Sequence, residues 1–401
     1  MDIRNYTIVT ASYWGFTLTD GALRMLVLLH FHALGYSPVQ LAFLFLLYEF
    51  CGLVTNLLGG WAGSRVGLKV TLFAGLGAQI VALVALSLVQ QHWAVLFSVG
   101  YVMVAQALSG VAKDLTKMST KSAVKLLVSG GEGEASAGRA LFKWVAILTG
   151  SKNALKGVGF LAGGVLLGWL GFVMALWVMA GGLLLLLGGG MLSLRQDLGR
   201  SKEKVKFAQL FSKSREINLL SLARFFLFGS RDIWFVVGLP VFLKERLEWS
   251  FAAVGGFMAA WVISYGLVQA AAPVLLKRGG ARAALGWVGM LALVTGALAL
   301  AVQLDFQVVV MVLAGLAVFG VVFAVNSAVH SHLILAYTDS DKVALNVGFY
   351  YMANAGGRLV GTLLSGLLYL WAGLSGCLWA SAGFVCVAVV LTARLPREGE
   401  G

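Results

Sequence analysis

The chain has 401 residues, of which 60% are hydrophobic and only 12% charged. Soluble domains are about 45–50% apolar even with glycine counted, so a soluble fold is excluded; the 51 glycines beside only 4 prolines, without a Gly-X-Y period, exclude collagen and disorder. The 30 Lys and Arg against 17 Asp and Glu leave a formal charge of +13, which would suggest nucleic acid in a soluble chain and is read first as topology in a membrane chain.

A membrane-crossing helix needs about 20 predominantly apolar residues. The spacing predicts twelve: 6–32, 37–62, 70–90, 94–116, 144–170, 172–192, 216–243, 252–276, 284–303, 308–334, 345–371 and 373–393. Residues 1–4 offer neither a basic n-region nor a small-residue cleavage site, so the first run is expected to be a retained span. The long polar interruptions are 117–143 and 193–215. The second divides the chain into a six-helix N-terminal half, 1–192, a linker, 193–215, and a six-helix C-terminal half, 216–401. Arg195, Arg200, Lys202, Lys204, Lys206, Lys213 and Arg215 mark that linker as cytoplasmic.

Alternating the spans from a cytoplasmic N-terminus puts Arg65, Lys69, the 113–143 cluster, Lys277, Arg278, Arg282, Lys342, Arg394 and Arg397 on the same side, leaving only Lys244 and Arg246 outside. The expectation is an all-α, multi-pass protein of the inner membrane with both termini cytoplasmic. No loop is long enough for an ordinary soluble domain. No His, Ser or Cys constellation has catalytic spacing, and the glycine-rich strings fall inside spans, so an enzyme is not expected.

The halves echo each other. Phe16 and Asp20 stand four apart in the first span, as do Phe228 and Asp232 in the seventh; Arg358, Gly361 and Gly366 lie 202 positions after Lys156, Gly159 and Gly164. Two six-helix repeats with a cation at matching places are what a parallel duplication about the membrane normal produces.

The loop Gly60-Trp61-Ala62-Gly63-Ser64-Arg65-Val66-Gly67-Leu68-Lys69 resembles the major facilitator signature between helices two and three, with Ser64 where the family prefers Asp and Leu68 where it prefers Arg. Gly159-Phe160-Leu161-Ala162-Gly163-Gly164 resembles the antiporter signature of helix five, with Phe160 in place of its proline. The resemblance implies a major facilitator fold; the departures weaken the usual charge latch and the inference of proton antiport.

A more specific likeness covers most of the chain. Phe16-Thr17-Leu18-Thr19-Asp20-Gly21-Ala22-Leu23-Arg24-Met25, Ser109-Gly110-Val111-Ala112-Lys113-Asp114-Leu115, Thr149-Gly150-Ser151-Lys152-Asn153-Ala154-Leu155-Lys156-Gly157 and Phe228-Gly229-Ser230-Arg231-Asp232 resemble the ArsJ family of organoarsenical efflux permeases. That resemblance implies export of 1-arseno-3-phosphoglycerate, the arsenate ester formed when glyceraldehyde-3-phosphate dehydrogenase accepts arsenate for phosphate. It implies a functional link to that dehydrogenase without contact between the proteins, and it adds Asn153 to the substrate-binding candidates.

The intramembrane charges point the same way. A charge at the centre of a membrane helix costs about 2.5–3.5 kcal/mol on insertion scales, so it persists where it lines a cavity or pairs. The predicted spans hold the cations Arg24, Lys152, Lys156, Arg224, Arg231 and Arg358 against the acids Asp20, Glu49 and Asp232. A surplus of cations predicts an anionic substrate. Asp20 and Arg24 are spaced to pair on one face, whereas Lys152 and Lys156 at the same spacing repel unless an anion lies beside them. Arg231 and Arg358 offer planar forks suited to phosphate or carboxylate.

Arg24, Lys152, Lys156, Arg231 and Arg358 are therefore the substrate candidates, with Gln106 and Asn326 either orienting hydroxyls or bonding between helices. The bland alternatives are snorkelling of Lys152 and Lys156 to the headgroups, structural pairing of Arg24 with Asp20 and Arg231 with Asp232, and an anchor role for Arg224 early in the seventh span. Glu49 has no basic neighbour in sequence, and a buried unpaired carboxylate takes up a proton, so Glu49, Asp20 and Asp232 are the proton-coupling candidates. Lys113, Lys117, Lys121 and Lys125 form a stripe facing anionic lipid or gathering an anionic substrate. His30 and His32, and His330 and His332, are expected at the interfaces.

Cys51, Cys377 and Cys386 are scattered, with no metal-ligand spacing. An arsenate ester needs hard donors such as Lys and Arg, whereas arsenite would seek clustered thiolates. No cofactor, metal or nucleic-acid partner is expected, and the protein is expected to act as a monomer. A drug/proton antiporter is the alternative within the same fold; an acid-dominated cavity would mark it.

Overall fold

Eleven helices and no strands are found among residues 3–129, 134–194, 214–275, 280–338 and 343–396, the residues described by this computed structural model. They are α1 (Ile3–Ala33), α2 (Pro38–Val66), α3 (Leu68–Ser87), α4 (Val95–Ser129), α5 (Glu134–Ser193), α6 (Arg215–Phe235), α7 (Gly238–Glu245), α8 (Phe251–Leu275), α9 (Ala281–Gln303), α10 (Val308–Ala336) and α11 (Val343–Ala393). The side chains of 56–66 and 121–150 and all of 195–213 lie outside the described residues. With them go most of the Gly60–Lys69 loop, Lys121 and Lys125 of the lysine stripe, and the basic linker.

Nine of the described segments are long and apolar enough to cross a membrane. Two of these, Ser151–Ser193 and Gly348–Ala393, are 43 and 46 residues long, about twice what one crossing needs. Each is broken once: α5 at Gly171 (φ 73°, ψ 178°) and α11 at Ala372 and Gly373 (φ 59°). Positive φ is open to glycine without a Cβ clash, and both breaks fall where the sequence separates spans five from six and eleven from twelve. Helix α1 falls outside the nine because Asp20, Arg24, His30 and His32 dilute its apolar run. Counting it, and each broken helix twice, accommodates the twelve predicted crossings.

The seventh predicted span, 216–243, is instead two helices. Pro240 has no N–H to donate to the carbonyl four residues earlier, and the helix opens at Val236–Val237 between α6 and α7. The amides of Val237 and Gly238 both donate to the Ser365 hydroxyl on α11, each at 3.1 Å. Interrupted backbone within a membrane survives only where protein groups satisfy it.

The contacts sort the chain into two units. The first is drawn from Met1–His30, Cys51–Val205 and Phe251–Ala260, the second from Phe31–Phe50, Lys206–Ser250 and Trp261–Gly401. In the first, a Cβ at Gly159 of α5 would lie 2.4 Å from the Leu18 carbonyl oxygen of α1, and one at Gly164 would lie 2.3 Å from the Phe251 carbonyl oxygen at the start of α8. In the second, a Cβ at Gly361 of α11 would lie 2.7 Å from the Gly229 carbonyl oxygen of α6, and one at Gly366 would lie 2.4 Å from the Pro38 carbonyl oxygen at the start of α2. The glycines that stand 202 positions apart in sequence thus make corresponding backbone contacts, as a duplicated fold requires.

The tightest of these approaches is at Gly357, where a Cβ would meet the Phe225 carbonyl oxygen at 2.0 Å. At an open helix position alanine is about 1 kcal/mol better than glycine. Gly357→Ala is nevertheless expected to lower the unfolding temperature of the detergent-purified protein, through an overpacking penalty of about 1–3 kcal/mol. Gly286→Ala, where no atom lies within 4 Å, should leave that temperature unchanged or raise it. Equal midpoints for the two variants would contradict backbone-to-backbone packing of α11 on α6.

Candidate functional site

In the second unit, the close packing of α11 on α6 and α2 brings Arg358, Asp232 and Glu49 together. The Arg358 guanidinium donates through Nη2 to Glu49 Oε1 at 2.6 Å and through Nε to Asp232 Oδ2 at 3.1 Å. Arg231 approaches the other oxygen of Asp232, with Nε at 2.6 Å from Oδ1. The two carboxylates are almost fully buried, at 2% and 1% side-chain exposure for Glu49 and Asp232, while Arg358 and Arg231 retain 21% and 14%. The arginine side chains are thus more exposed than the carboxylates they hold. Arg231 also lies over the rings of Phe228 and Phe323, 5.0 and 5.6 Å from their centroids.

This arrangement corrects the reading of Glu49 as an unpaired carboxylate. Its partner stands 309 residues away in sequence, beyond the reach of any local pattern. A second correction concerns Arg224. At 3% exposure it is not an anchor in the headgroups: Nη1 donates to the Ser327 carbonyl oxygen at 3.1 Å, and the guanidinium stacks on Phe228 and Tyr350. His330 is likewise fully buried and not interfacial. The spacing of Arg224, Phe228 and Arg231 was the available signal, since offsets of four and seven put all three on one helix face.

In the first unit, Gly21 of α1 fits against the Lys156 carbonyl oxygen of α5, 2.6 Å from where a Cβ would be, so α1 and α5 meet beside the predicted charges. Asp20 and Arg24 are each 9% exposed, and Lys156 Nζ lies 5.6 Å from the Phe160 ring centroid. Lys152 and Asn153 are half-buried on the same stretch of α5, next to Ser151, whose hydroxyl accepts from the Trp14 indole at 2.9 Å. Gln106 on α4 is 2% exposed, with an amide nitrogen that has no partner. Asn326 on α10 belongs to the second unit; its amide donates to the Val322 carbonyl oxygen of its own helix at 3.1 Å, and its side-chain oxygen is unpartnered. The predicted residues thus fall into two groups: Arg24, Asp20, Gln106, Lys152, Asn153 and Lys156 in the first unit, and Glu49, Arg231, Asp232, Asn326 and Arg358 in the second.

Among the described residues no group of three His, Cys, Asp or Glu is placed to hold a metal ion, and Cys51, Cys377 and Cys386 are free thiols.

The profile of the Major Facilitator Superfamily matches residues 7–334. The chain belongs to that superfamily. Solved structures agree at the level of fold. A D-xylose-proton symporter superposes with a TM-score of 0.72 at 12% identity, covering 99% of this chain and 98% of its own. A bacterial homologue of the iron transporter ferroportin in its inward-facing state gives 0.71 at 16%, with 98% and 99% coverage. The nucleoside transporter NupG, solved as a point mutant, gives 0.71 at 15%, with 98% of each chain covered. No curated protein matches the chain at the level of sequence. The protein is a major facilitator transporter of small solutes embedded in a membrane, and not an enzyme.

Removing one partner of a buried ion pair leaves an uncompensated charge, a loss of about 3–5 kcal/mol, whereas removing both is much milder. Glu49→Gln and Arg358→Gln should each lower the unfolding temperature of this facilitator in detergent. The double variant should lose less than the sum, with a coupling of about 0.5–3 kcal/mol. Strict additivity would mean that the pair is not formed in solution.

Proposed function

We propose that the protein exports a small organic oxyanion by alternating access and that its substrate is 1-arseno-3-phosphoglycerate. The observation that carries this reading is the charge balance of the second unit's buried polar group: among the described residues Arg231 and Arg358 pair with Asp232 and Glu49, and Arg224 adds a third guanidinium without a carboxylate of its own. A drug/proton antiporter would instead present carboxylates to a cationic or neutral solute. The four ArsJ-like sequence strings supply the specific substrate, and the lysines and arginines are the hard donors that an arsenate ester needs.

In this mechanism the incoming oxyanion competes with Glu49 and Asp232 for the arginine forks, since a bidentate oxyanion matches the guanidinium as well as a carboxylate does. Glu49 and Asp232, which hold the arginines when no anion is bound, are the proton-coupling candidates of this unit. Each unit carries its own candidates: in the first, Asp20 is the acid, beside Arg24, Gln106, Lys152, Asn153 and Lys156; in the second, Asn326 adds to the arginines. The protein acts as a monomer in the inner membrane with both termini cytoplasmic. Its partner in function is glyceraldehyde-3-phosphate dehydrogenase, which makes the ester and need not touch the transporter.

Vesicles holding the purified protein, with the dehydrogenase, arsenate and glyceraldehyde 3-phosphate generating the ester on one side, test the proposal. Arsenic should cross when the ester is being made and not when arsenate or arsenite is supplied alone. Arg358→Ala should abolish that flux in protein that still elutes as a single folded species. Equal flux of free arsenate would sink the substrate assignment, and wild-type flux in Arg358→Ala would remove Arg358 from the site.

A further inference from the structure

Arg224 stands apart from the arginines already placed. It is 3% exposed, and among the described residues no carboxylate pairs with it. A guanidinium has five N–H donors; the Ser327 carbonyl oxygen takes one at Nη1, and Nε has no acceptor. Near it lie both ring nitrogens of His330, which have no partner, and the hydroxyl of Tyr350, beside the Ser331 side chain; both residues are 0% exposed. Tyr350 is adjacent, its ring centroid 4.9 Å from the Arg224 guanidinium carbon. The Ser327 hydroxyl is already engaged, because it accepts from Gln269 at 3.0 Å and from the Tyr265 hydroxyl at 3.3 Å.

Aromatic stacking lowers the energy of a buried guanidinium without using its N–H groups. Buried polar groups in native proteins are almost always hydrogen-bonded. A positive fork, a phenol and an imidazole that can each donate, with no acid among them, match one ligand chemistry, an oxyanion with several acceptor atoms.

The place of this group in the fold gives it a role. Arg224 and Arg231 lie over the same Phe228 ring, at 4.0 and 5.0 Å from its centroid, so their guanidinium carbons are at most about 9 Å apart. Arg231 adjoins Asp232 and, through it, Arg358. Two cationic groups thus lie against one aromatic ring, at a separation that a short carbon chain bridges.

We propose that Arg224, His330 and Tyr350 form a second oxyanion subsite, which takes the far end of a two-ended organic anion whose near end is held at Arg231 and Arg358. The subsite rests on the anion reading above and extends it: the ligand carries an oxyanion at each end, with Phe228 against its carbon chain. Phosphonate, phosphate, arsenate and carboxylate ends all fit this chemistry.

Calorimetric titration of the purified protein in a neutral detergent free of anionic lipid, with propane-1,3-bisphosphonate and propylphosphonate as probes, tests it. Wild type should bind the two-ended probe about tenfold or more tighter than the one-ended probe, because each charge-assisted oxyanion contact is strong. Arg224→Gln should bring the two affinities together while leaving propylphosphonate binding unchanged, and Arg358→Gln should weaken both. Should Arg224→Gln not elute as folded protein, Tyr350→Phe decides. It should weaken only the two-ended probe, by about threefold. A wild-type preference that survives Arg224→Gln, an unchanged profile in Tyr350→Phe, or equal affinities in wild type would each overturn the second subsite and leave the first standing. Failure of wild type to bind either probe would overturn the anion reading itself, and the subsite with it.

Discussion

A guanidinium placed inside a membrane helix needs partners for its charge and its N–H groups, and at Arg358 the second unit supplies them as carboxylates drawn from other helices. Glu49 comes from α2 and Asp232 from α6, and neither lies near Arg358 in sequence. Their meeting depends on glycine. Gly357 and Gly361 let α11 lie directly on the α6 backbone, where Asp232 is, and Gly366 seats the start of α2 at the Pro38 carbonyl, which brings Glu49 within 2.6 Å of the arginine. Side chains larger than hydrogen at these glycines would push the helices apart by more than the slack in an arginine–carboxylate pair. Packing and electrostatics are therefore one constraint here.

Beside the ion pairs the unit is rich in aromatic rings. Trp234, Phe235, Trp261, Phe319 and Phe323 interlock, with Trp234 edge-on to Trp261 and Phe319 at 5.5 and 5.1 Å. The Trp261 indole donates to the Leu316 carbonyl oxygen at 2.8 Å, which ties α8 to α10. Such surroundings strengthen every charge–charge and charge–dipole term. Just beyond Asp232, the interruption between α6 and α7 leaves its amides to the Ser365 hydroxyl, so α11 stabilises both the carboxylates and the break that follows them. The first unit repeats the glycine contacts but carries lysine where the second carries arginine. A point charge on a flexible stem adapts, whereas a planar fork fixes orientation; under the proposed function the second unit is accordingly the one that would orient the anion.

Much of this was legible in the sequence, for identifiable reasons. Span ends and the breaks at Gly171 and Gly373 follow from length and glycine placement, and the charges at Asp232, Arg231 and Arg358 are conspicuous because apolar helices rarely carry them. The partner of Glu49 was not legible, because it lies 309 residues away and only the tertiary fold brings it close. Arg224 and His330 were misplaced for a different reason. Near the end of a span, a lipid-facing and a core-facing residue differ only by rotation about the helix axis, and a helix that is apolar all round gives no amphipathic contrast to fix that rotation. The i, i+4, i+7 arrangement of Arg224, Phe228 and Arg231 held the missing information, but it becomes meaningful only once both guanidiniums are seen against the same ring.

The central claim is that Glu49 and the transported anion compete for Arg358. The direct measurement is the affinity of a permanently ionised two-ended probe, propane-1,3-disulfonate, at one neutral pH in wild type and in Glu49→Gln. Glu49→Gln should bind the probe more tightly than wild type, because the carboxylate that occupies the Arg358 fork is gone. Equal affinities, or weaker binding by Glu49→Gln, would contradict the competition.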